Sequence, residues 1–197
     1  MIAILDYGSG NLRSALRAFQ TTGREVLVTS DPEIAFKADA LVVPGVGAFG
    51  ACMSGLLKVN GDQVIKSRVA AGKATLGICV GMQILFTSGL ERGNFEGVGA
   101  VDGEIEKLKA PILPHMGWNT VRIEGVSKLF KGIESESFYF VHSYAANNKV
   151  GDASAFTDYH GEFLSAFESG VLSATQFHPE KSGLAGLKLI SNWVESL

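Results

Sequence analysis

Cys79 is the residue of this sequence whose surroundings best suit a nucleophile. It lies in the segment Gly77–Gly81, which reads GICVG and directly follows an apolar run. A nucleophile between two glycines at the junction of a strand and a helix is the pattern of a nucleophile elbow, here with cysteine where serine is often found. The glycines are needed because the turn is tight and neighbouring backbone comes close. The segment therefore predicts a thiol presented for covalent catalysis.

A nucleophilic thiol needs a base, and the base needs a group that orients its ring. His178, Pro179 and Glu180 follow one another near the other end of the sequence. In an extended segment, residues two apart point to the same side, so we expect Glu180 to lie beside His178, with Pro179 stiffening the link. Taken singly, Cys79 is more typical of a packed core thiol and His178 of a buried histidine with satisfied hydrogen bonds. Together the three residues predict a Cys-His-Glu catalytic triad.

The elements before Cys79 alternate between short apolar strands and helices. Buried strands are predicted at residues 2–5, 26–28, 40–43 and 75–78. Helical spacing of apolar residues follows the first strand, and a second helical region over 50–71 is broken near residue 60. Apolar strands separated by helices indicate a parallel sheet covered on both faces, whose chemistry lies beyond the carboxyl ends of the strands. Asp6, Pro44–Gly47 and Cys79 all fall at such ends, and we expect a flavodoxin-like α/β fold.

The second half of the sequence has a different pattern. From about residue 98 to 176 the strands are shorter and alternate with polar turns, which predicts an antiparallel extension of the same sheet. A final helix is expected to turn Leu187, Ile190, Val194 and Leu197 inward. Because no repeat, low-complexity tract or linker interrupts the pattern, we expect a single domain over residues 1–197.

Composition excludes several classes of function. Apolar residues make up 46% of the 197 residues, charged residues make up 19%, and the net charge is −3. This balance shows no excess of positive charge of the kind that binds nucleic acid or an acidic membrane surface. The sequence has no signal-peptide pattern and no apolar stretch near the roughly 20 residues of a membrane helix. Its two cysteines favour a reducing, cytoplasmic setting. The histidines show no metal-ligand spacing, and we expect neither a metal nor another cofactor.

Acyl transfer by Cys79 would need hydrogen-bond donors aimed at the developing oxyanion. The backbone amide of Val80, at the start of the predicted helix, is one candidate. The second should come from the glycine-rich segment Pro44–Gly47, through the amide of Val46 or Gly47. A plain glycine turn is the alternative interpretation of that segment.

Five segments carry a resemblance to a known family. They are Gly77–Gln83, Gln176–Ser182, Asp6–Leu12, Pro114–Asn119 and Tyr139–Tyr144. The first two resemble the class I, triad-type glutamine amidotransferases. The other three narrow the resemblance to the glutaminase subunits of imidazole glycerol phosphate synthase, in histidine biosynthesis, and the match runs nearly end to end.

The resemblance implies a separate catalytic role for each residue of the triad. Cys79 would attack the side-chain amide of L-glutamine, His178 would pass a proton to the leaving ammonia, and Glu180 would orient His178. Water would then release glutamate from the thioester. Four further residues match positions that bind or close over the glutamine: Gln83, Glu91, Ser143 and Tyr144. Glu91, in a loop-like stretch, could equally be a solvated surface charge.

The resemblance also implies a partner. In this family the ammonia passes to a (βα)8-barrel cyclase subunit, and the two subunits form a heterodimer. The positions that match the interface are Asn11, Trp118, Tyr139 and Lys181. Aromatic residues are typical interface anchors. By residue type alone, however, Trp118 would more often lie in the core, and Lys181 would be a solvated charge.

Some residues depart from the family pattern, and other functions compete. Val80 stands where leucine is commoner, and Ala145 and Ala146 follow Tyr144 where an arginine is expected; Cys52 is interpreted as a packed thiol. One alternative is the glutaminase of another amidotransferase, such as pyridoxal phosphate synthase, although Pro44–Phe49 lacks the Gly-Gly-Glu-Ser-Thr stretch of that family. The others are a non-catalytic module on the same fold, a stand-alone cysteine hydrolase, or a redox-sensing thiol protein.

Overall fold

The computed structural model describes all residues from 1 to 197. Its strands are β1 (Ile2–Leu5), β2 (Val26–Thr29), β3 (Ala40–Gly45), β4 (Thr75–Cys79), β5 (Phe86–Gly89), β6 (Phe95–Glu96), β7 (Val101–Lys107), β8 (His115–Thr120), β9 (Arg122–Glu124), β10 (Ser137–His142), β11 (Tyr144–Ala145), β12 (Ala153–Asp158), β13 (Glu162–Ser169) and β14 (Leu172–Thr175). Its α-helices are α1 (Leu12–Gln20), α2 (Pro32–Lys37), α3 (Phe49–Lys58), α4 (Gly61–Ala70), α5 (Val80–Gln83) and α6 (Gly183–Glu195).

The main sheet has eight strands in the order β2-β1-β3-β4-β14-β13-β12-β9. The first five strands are parallel to one another, and β13, β12 and β9 each pair antiparallel with the strand before them in this order. The parallel part has the strand order of flavodoxin-like folds, with β14 as its fifth strand. Both the parallel sheet flanked by helices and its antiparallel extension are therefore confirmed.

Part of the second half lies outside this sheet. Strands β8 and β10 form a two-stranded antiparallel ribbon, and β11, β7, β5 and β6 form a small four-stranded sheet. The expectation that the whole stretch forms an antiparallel extension of the main sheet is therefore right for β9, β12 and β13. It is wrong for β7, β8, β10 and β11, which lie outside that sheet, and for β14, which belongs to it but pairs in parallel with β4. Alternation of polar and apolar residues indicates a strand with one covered face, but it does not say which neighbour the strand pairs with.

The helices follow the predicted pattern with two differences. Helix α2 is not predicted by the sequence pattern because six residues are too few to show helical periodicity; Asp31 caps it by accepting from the amide of Glu33 at 2.8 Å. In α6, Ile190 and Val194 are buried, but Leu197 lies past the end of the helix and is 45% exposed, which corrects its predicted inward position. None of the helices has the length and apolar character needed to cross a membrane.

A buried arginine joins three elements at the amino end of β4. The Arg68 guanidinium, on α4, is fully buried and makes six hydrogen bonds. Five go to backbone carbonyls around the end of α2 and the start of β4, and the sixth goes to the Thr75 hydroxyl at 3.3 Å. Burial lowers the pKa of Arg68 to about 10, which still leaves it charged at neutral pH. The side chain thereby satisfies the orphan carbonyls that the end of a helix leaves.

Candidate active site

Cys79 lies where β4 ends and α5 begins, in a strained backbone conformation. Its φ of 58° and ψ of −112° lie in a region that residues with a side chain rarely adopt. Such strain is characteristic of a nucleophile elbow. A Cβ atom at Gly81 would collide with the Val43 carbonyl oxygen, and one at Gly77 would lie 2.7 Å from the Gly81 oxygen. The two glycines are thus required by close backbone approach, as the sequence predicts.

Strand β14 brings the second half of the site to Cys79. It pairs with β4 in parallel, and Thr175 lies opposite Ile78, so the residues after β14 emerge beside Cys79. Gln176, the first of them, is fully buried, and its Nε2 atom lies 3.7 Å from the Cys79 sulfur. Sequence reasoning did not single out Gln176; the available signal was a polar residue between an apolar strand and His178.

His178 and Glu180 form a buried pair next to Cys79. The His178 Nδ1 atom lies 2.8 Å from Glu180 Oε1, and the two side chains are only 2% and 4% exposed. The second carboxylate oxygen, Oε2, has no hydrogen-bond partner. The segment is not extended throughout: Pro179–Lys181 is a 3-10 turn, stabilised by the Ser182 hydroxyl, which donates to the His178 carbonyl at 2.7 Å. The proximity of Glu180 and His178 is confirmed, but a turn rather than an extended segment produces it.

The surroundings of His178 favour its charged form. Burial by itself lowers the pKa of His178, but the Cys79 sulfur and the Glu180 carboxylate outweigh burial and raise the pKa to about 10. Glu180 accepts at Nδ1, so the other ring nitrogen, Nε2, is left for the nucleophile and leaving group.

A cleft of about 460 Å³ opens over Cys79. Its walls contain most of the residues that sequence analysis singled out: Val46, Gly47, Cys79, Val80, Gln83, Glu91, Ser143, Tyr144, His178 and Lys181. His142 also lines it, which sequence analysis did not anticipate. The triad, the glycine-rich segment and the predicted glutamine-binding residues therefore share one site, although their roles toward a substrate stay predictions. No three histidine, cysteine or carboxylate side chains are arranged to hold a metal ion.

Gln83 and Glu91 have defined partners inside the chain. Gln83 Nε2 donates to the Tyr144 carbonyl at 2.8 Å and to Gln176 Oε1 at 2.9 Å, so both amide hydrogens are used and Oε1 remains as an acceptor. Glu91 Oε2 accepts from the amide of Phe49 at 2.8 Å and so caps α3, whose own N-cap residue provides no side-chain hydrogen bond. Glu91 is therefore more than a solvated surface charge.

The glycine-rich segment after β3 is tied to the loop after β1. The Val46 amide donates to the Ser9 hydroxyl oxygen at 3.0 Å, and the Ser9 hydroxyl donates to the Val46 carbonyl at 2.8 Å. The Cys52 thiol also donates to that carbonyl, at 3.3 Å. In this conformation the Val46 amide is occupied, and it would have to leave Ser9 to stabilise an oxyanion. Gly47 has a φ of 93°, and a Cβ atom there would meet nothing within 4 Å, so its backbone conformation and not crowding requires glycine.

The residues predicted at a partner interface lie outside the core. Trp118 is 59% exposed, and its ring centroid lies 6.1 Å from that of Tyr139 on the neighbouring strand of the ribbon. The core position that residue type alone favours for Trp118 is therefore wrong. Lys181 is exposed at the cleft, and Asn11 Oδ1 caps α1 by accepting from the Ser14 amide at 3.3 Å.

Comparison with known proteins defines the class. Residues 3–196 match the family described as "Glutamine amidotransferase class-I". The fold superposes on a solved structure titled "Crystal structure of glutamine amidotransferase" with a TM-score of 0.76 at 18% identity, over 98% of this chain and 97% of that one. The chain belongs to the class I glutamine amidotransferase family.

Curated relatives narrow the comparison within that class. The chain is 55% identical over 201 residues to a Mycobacterium bovis protein named "Imidazole glycerol phosphate synthase subunit HisH", covering 100% of this chain and 98% of the relative. It is 54% identical over 206 residues to the protein of the same name from Nocardia farcinica, again covering 100% and 98%.

Proposed function

We propose that this chain is the glutaminase subunit of imidazole glycerol phosphate synthase and hydrolyses L-glutamine to glutamate and ammonia. The observation that carries the glutaminase chemistry is the buried His178–Glu180 pair beside the strained Cys79 in one cleft. The identity of more than half of all residues over the full length to relatives of that name supports the particular synthase.

The first step forms a thioester. The Cys79 sulfur attacks the side-chain carbonyl carbon of glutamine, and the carbon–nitrogen bond breaks as the tetrahedral intermediate collapses. The leaving nitrogen takes a proton from the Nε2 atom of the His178 imidazolium and departs as ammonia. Cys79 and Glu180 stabilise the imidazolium form of His178, and this form supplies the proton. Glu180 keeps the ring oriented through its bond to Nδ1.

The second step releases glutamate. Water attacks the thioester carbonyl, His178 takes the proton from the water, and the Cys79 sulfur leaves. The Val80 amide, with Val46 or Gly47, would stabilise the oxyanion in both steps. Gln83, Glu91, Ser143 and Tyr144 would bind the substrate, the Gln83 Oε1 atom acting as an acceptor.

Ammonia would pass to a (βα)8-barrel cyclase subunit, which uses it on a phosphorylated ribulosyl carboxamide. The exposed Trp118–Tyr139 pair, with Asn11 and Lys181, would contact that partner in a cytoplasmic heterodimer. No metal or other cofactor takes part in this proposal.

The occupied Val46 amide suggests how the partner could control the reaction. As long as Val46 donates to Ser9, one oxyanion donor is withheld. A conformation in which Val46 leaves Ser9 would be favoured if the loaded partner binds that conformation more tightly.

The test is release of glutamate from glutamine by this chain alone, with the cyclase, and with the cyclase and its ribulosyl ligand. We expect strong stimulation by the loaded cyclase. Hydrolysis at the same rate with and without the cyclase would assign the chain to another amidotransferase. The absence of hydrolysis in every mixture would refute the glutaminase proposal.

A further inference from the structure

Two histidines outside the triad form a buried pair on the β8–β10 ribbon. His115 and His142 lie opposite each other in its register, and His115 Nδ1 is 3.1 Å from His142 Nε2. The residues are 3% and 6% exposed. The His115 ring stacks on Phe140 and Tyr159, with centroid distances of 4.9 and 4.1 Å. The rings therefore have little freedom to reorient.

The pair is the outer part of a hydrogen-bonded path that reaches the nucleophile. His142 Nδ1 lies 3.0 Å from the Tyr144 carbonyl oxygen, and the same oxygen accepts from Gln83 Nε2 at 2.8 Å. Gln83 donates in turn to Gln176, whose own amide nitrogen lies 3.7 Å from the Cys79 sulfur. Every step joins a donor to an acceptor within the fold.

The Tyr144 carbonyl oxygen determines which nitrogen of each histidine ring carries the hydrogen. A carbonyl oxygen only accepts, so His142 Nδ1 must carry a hydrogen. Burial lowers the pKa of His142 to about 3 and that of His115 to about 4, so both rings are neutral near pH 7 and each carries one hydrogen. His142 Nε2 is therefore an acceptor, and His115 Nδ1 is the donor that faces it.

The outer end of the path agrees with this assignment. His115 Nε2 must be an acceptor, and Asn119 Nδ2 lies 3.4 Å from it. The orientation of the Asn119 amide is set independently, because Nδ2 also donates to the Asp158 carbonyl at 3.1 Å and Oδ1 accepts from the Thr120 amide at 2.9 Å. The path has a single direction of donation from Asn119 to the Tyr144 carbonyl.

We propose that His115 and His142 are positioning residues for the glutaminase reaction, holding the Tyr144 carbonyl in place and through it the orientation of the Gln83 and Gln176 amides around Cys79. This inference rests on the proposed function. It gives the two histidines a role that requires neither contact with the reacting atoms nor a change of charge. His142 lines the cleft, whereas His115 does not.

The orientation of Gln83 matters because the two ends of a carboxamide have the same shape and opposite hydrogen-bonding character. With the Tyr144 oxygen fixed as an acceptor, Gln83 directs its NH₂ group inward and leaves Oε1 as its acceptor for a substrate N–H group. A flipped Gln83 would place two acceptors against each other and offer the substrate a donor instead. The Tyr144 carbonyl thus determines which polarity Gln83 presents, and the histidine pair holds that carbonyl in position.

The direct test is the tautomeric state of the histidines in the ¹⁵N-labelled full chain, measured by NMR. We expect both His115 and His142 to be neutral with the hydrogen on Nδ1, and to stay so between about pH 6 and 9. A hydrogen on Nε2 of His142, or a charged ring in that range, would overturn the proposal. This measurement needs no variant to fold.

The functional test compares two substitutions of His142 in the complex with the cyclase. His142→Leu removes the donor to Tyr144, whereas His142→Asn retains an N–H donor near the position of Nδ1. We expect His142→Leu to raise the KM for glutamine about tenfold, with a smaller change in kcat, and His142→Asn to recover most of that loss. Ammonia-dependent turnover by the cyclase should be unchanged in both. The exposed His160 provides the matched control, His160→Asn, for which no change is expected.

Two results would refute the positioning role while leaving the proposed function intact. One is an unchanged KM and kcat for glutamine in His142→Leu; the other is an equal loss in the Leu and Asn variants, which indicates packing alone. If the unsubstituted complex hydrolyses no glutamine, the proposed function itself has failed. If His142→Leu does not fold, the tautomer measurement decides.

Discussion

A buried charged group from another segment lies at each end of strand β4, and the two ends differ in how that group is accommodated. At the amino end, the Arg68 guanidinium is surrounded by six hydrogen-bond acceptors. At the carboxyl end, Cys79 has a positive φ, and the Glu180 carboxylate has one oxygen without a partner. Buried polar groups are normally satisfied, and strain persists only where the surrounding structure enforces it. In the proposed function, the carboxyl end of β4 serves chemistry, whereas the amino end serves folding.

The largest expected effect is at the chemical end. Cys79→Ala should lower glutamine-dependent synthesis by about 10,000-fold or more, because loss of a nucleophile removes the covalent pathway. Synthesis from added ammonia by the complex should be unaffected and is the control for folding and assembly. Equal loss of both activities would show that Cys79 also has a structural role and would remove the contrast between the two ends.

Glu180→Gln should lower kcat for glutamine by about 100- to 10,000-fold, since the ring of His178 loses its anionic partner. The measurement is glutamate release by the complex loaded with the ribulosyl ligand. An unchanged kcat would show that the buried pair has only a structural role, like Arg68.

The same variant should change the pH dependence of stability. The pKa of His178 is raised from its usual 6.5 to about 10, so the stabilisation it provides is complete below about pH 6.5 and is lost as the pH rises through about 10. Glu180→Gln should make this loss smaller. The free energy of unfolding of both proteins, measured with denaturant between about pH 6 and 10, checks the prediction. The same dependence of this free energy on pH in both proteins would contradict it.

At the structural end, Arg68→Met should lower the free energy of unfolding by about 3 to 5 kcal/mol, because it leaves buried carbonyl groups without donors. Lys66→Met, an exposed position on the same helix, is the matched control and should change it by less than about 0.5 kcal/mol. The measurement is urea unfolding of both variants. A loss at Arg68 no larger than that of the control would mean that the six hydrogen bonds contribute little.

The smallest effect concerns the loop that withholds the Val46 amide. Ser9→Ala removes about 1 kcal/mol of hydrogen bonding to Val46 and should raise glutamine hydrolysis by the free subunit about fivefold. Ser54→Ala, at an exposed serine of α3, should have no effect. If hydrolysis falls in Ser9→Ala instead, Ser9 supports the active conformation and does not oppose it.

Local sequence was enough to predict four of the five parallel strands and the residues of the proposed triad. The strand periods, the glycines around Cys79 and the spacing of His178 and Glu180 depend on neighbours along the chain, and the structure places them as expected. Helix α2 was not predicted because it is shorter than the window that periodicity needs. For Trp118, residue type alone favoured the core because it does not reveal which face of a ribbon is covered, whereas the family resemblance placed this residue at an interface.

By itself, therefore, the sequence determined the first four strands and the longer helices between them, the elbow at Cys79 and the three residues of the proposed triad, because each is encoded within a few consecutive positions. Only the tertiary structure decided which distant residues meet. The pairing of β14 with β4 delivers Gln176 to Cys79, the ribbon register joins His115 to His142, and the β1 loop brings Ser9 to Val46. These contacts span tens of residues, and they form because the packing of the whole sheet brings the segments together, which no local pattern records.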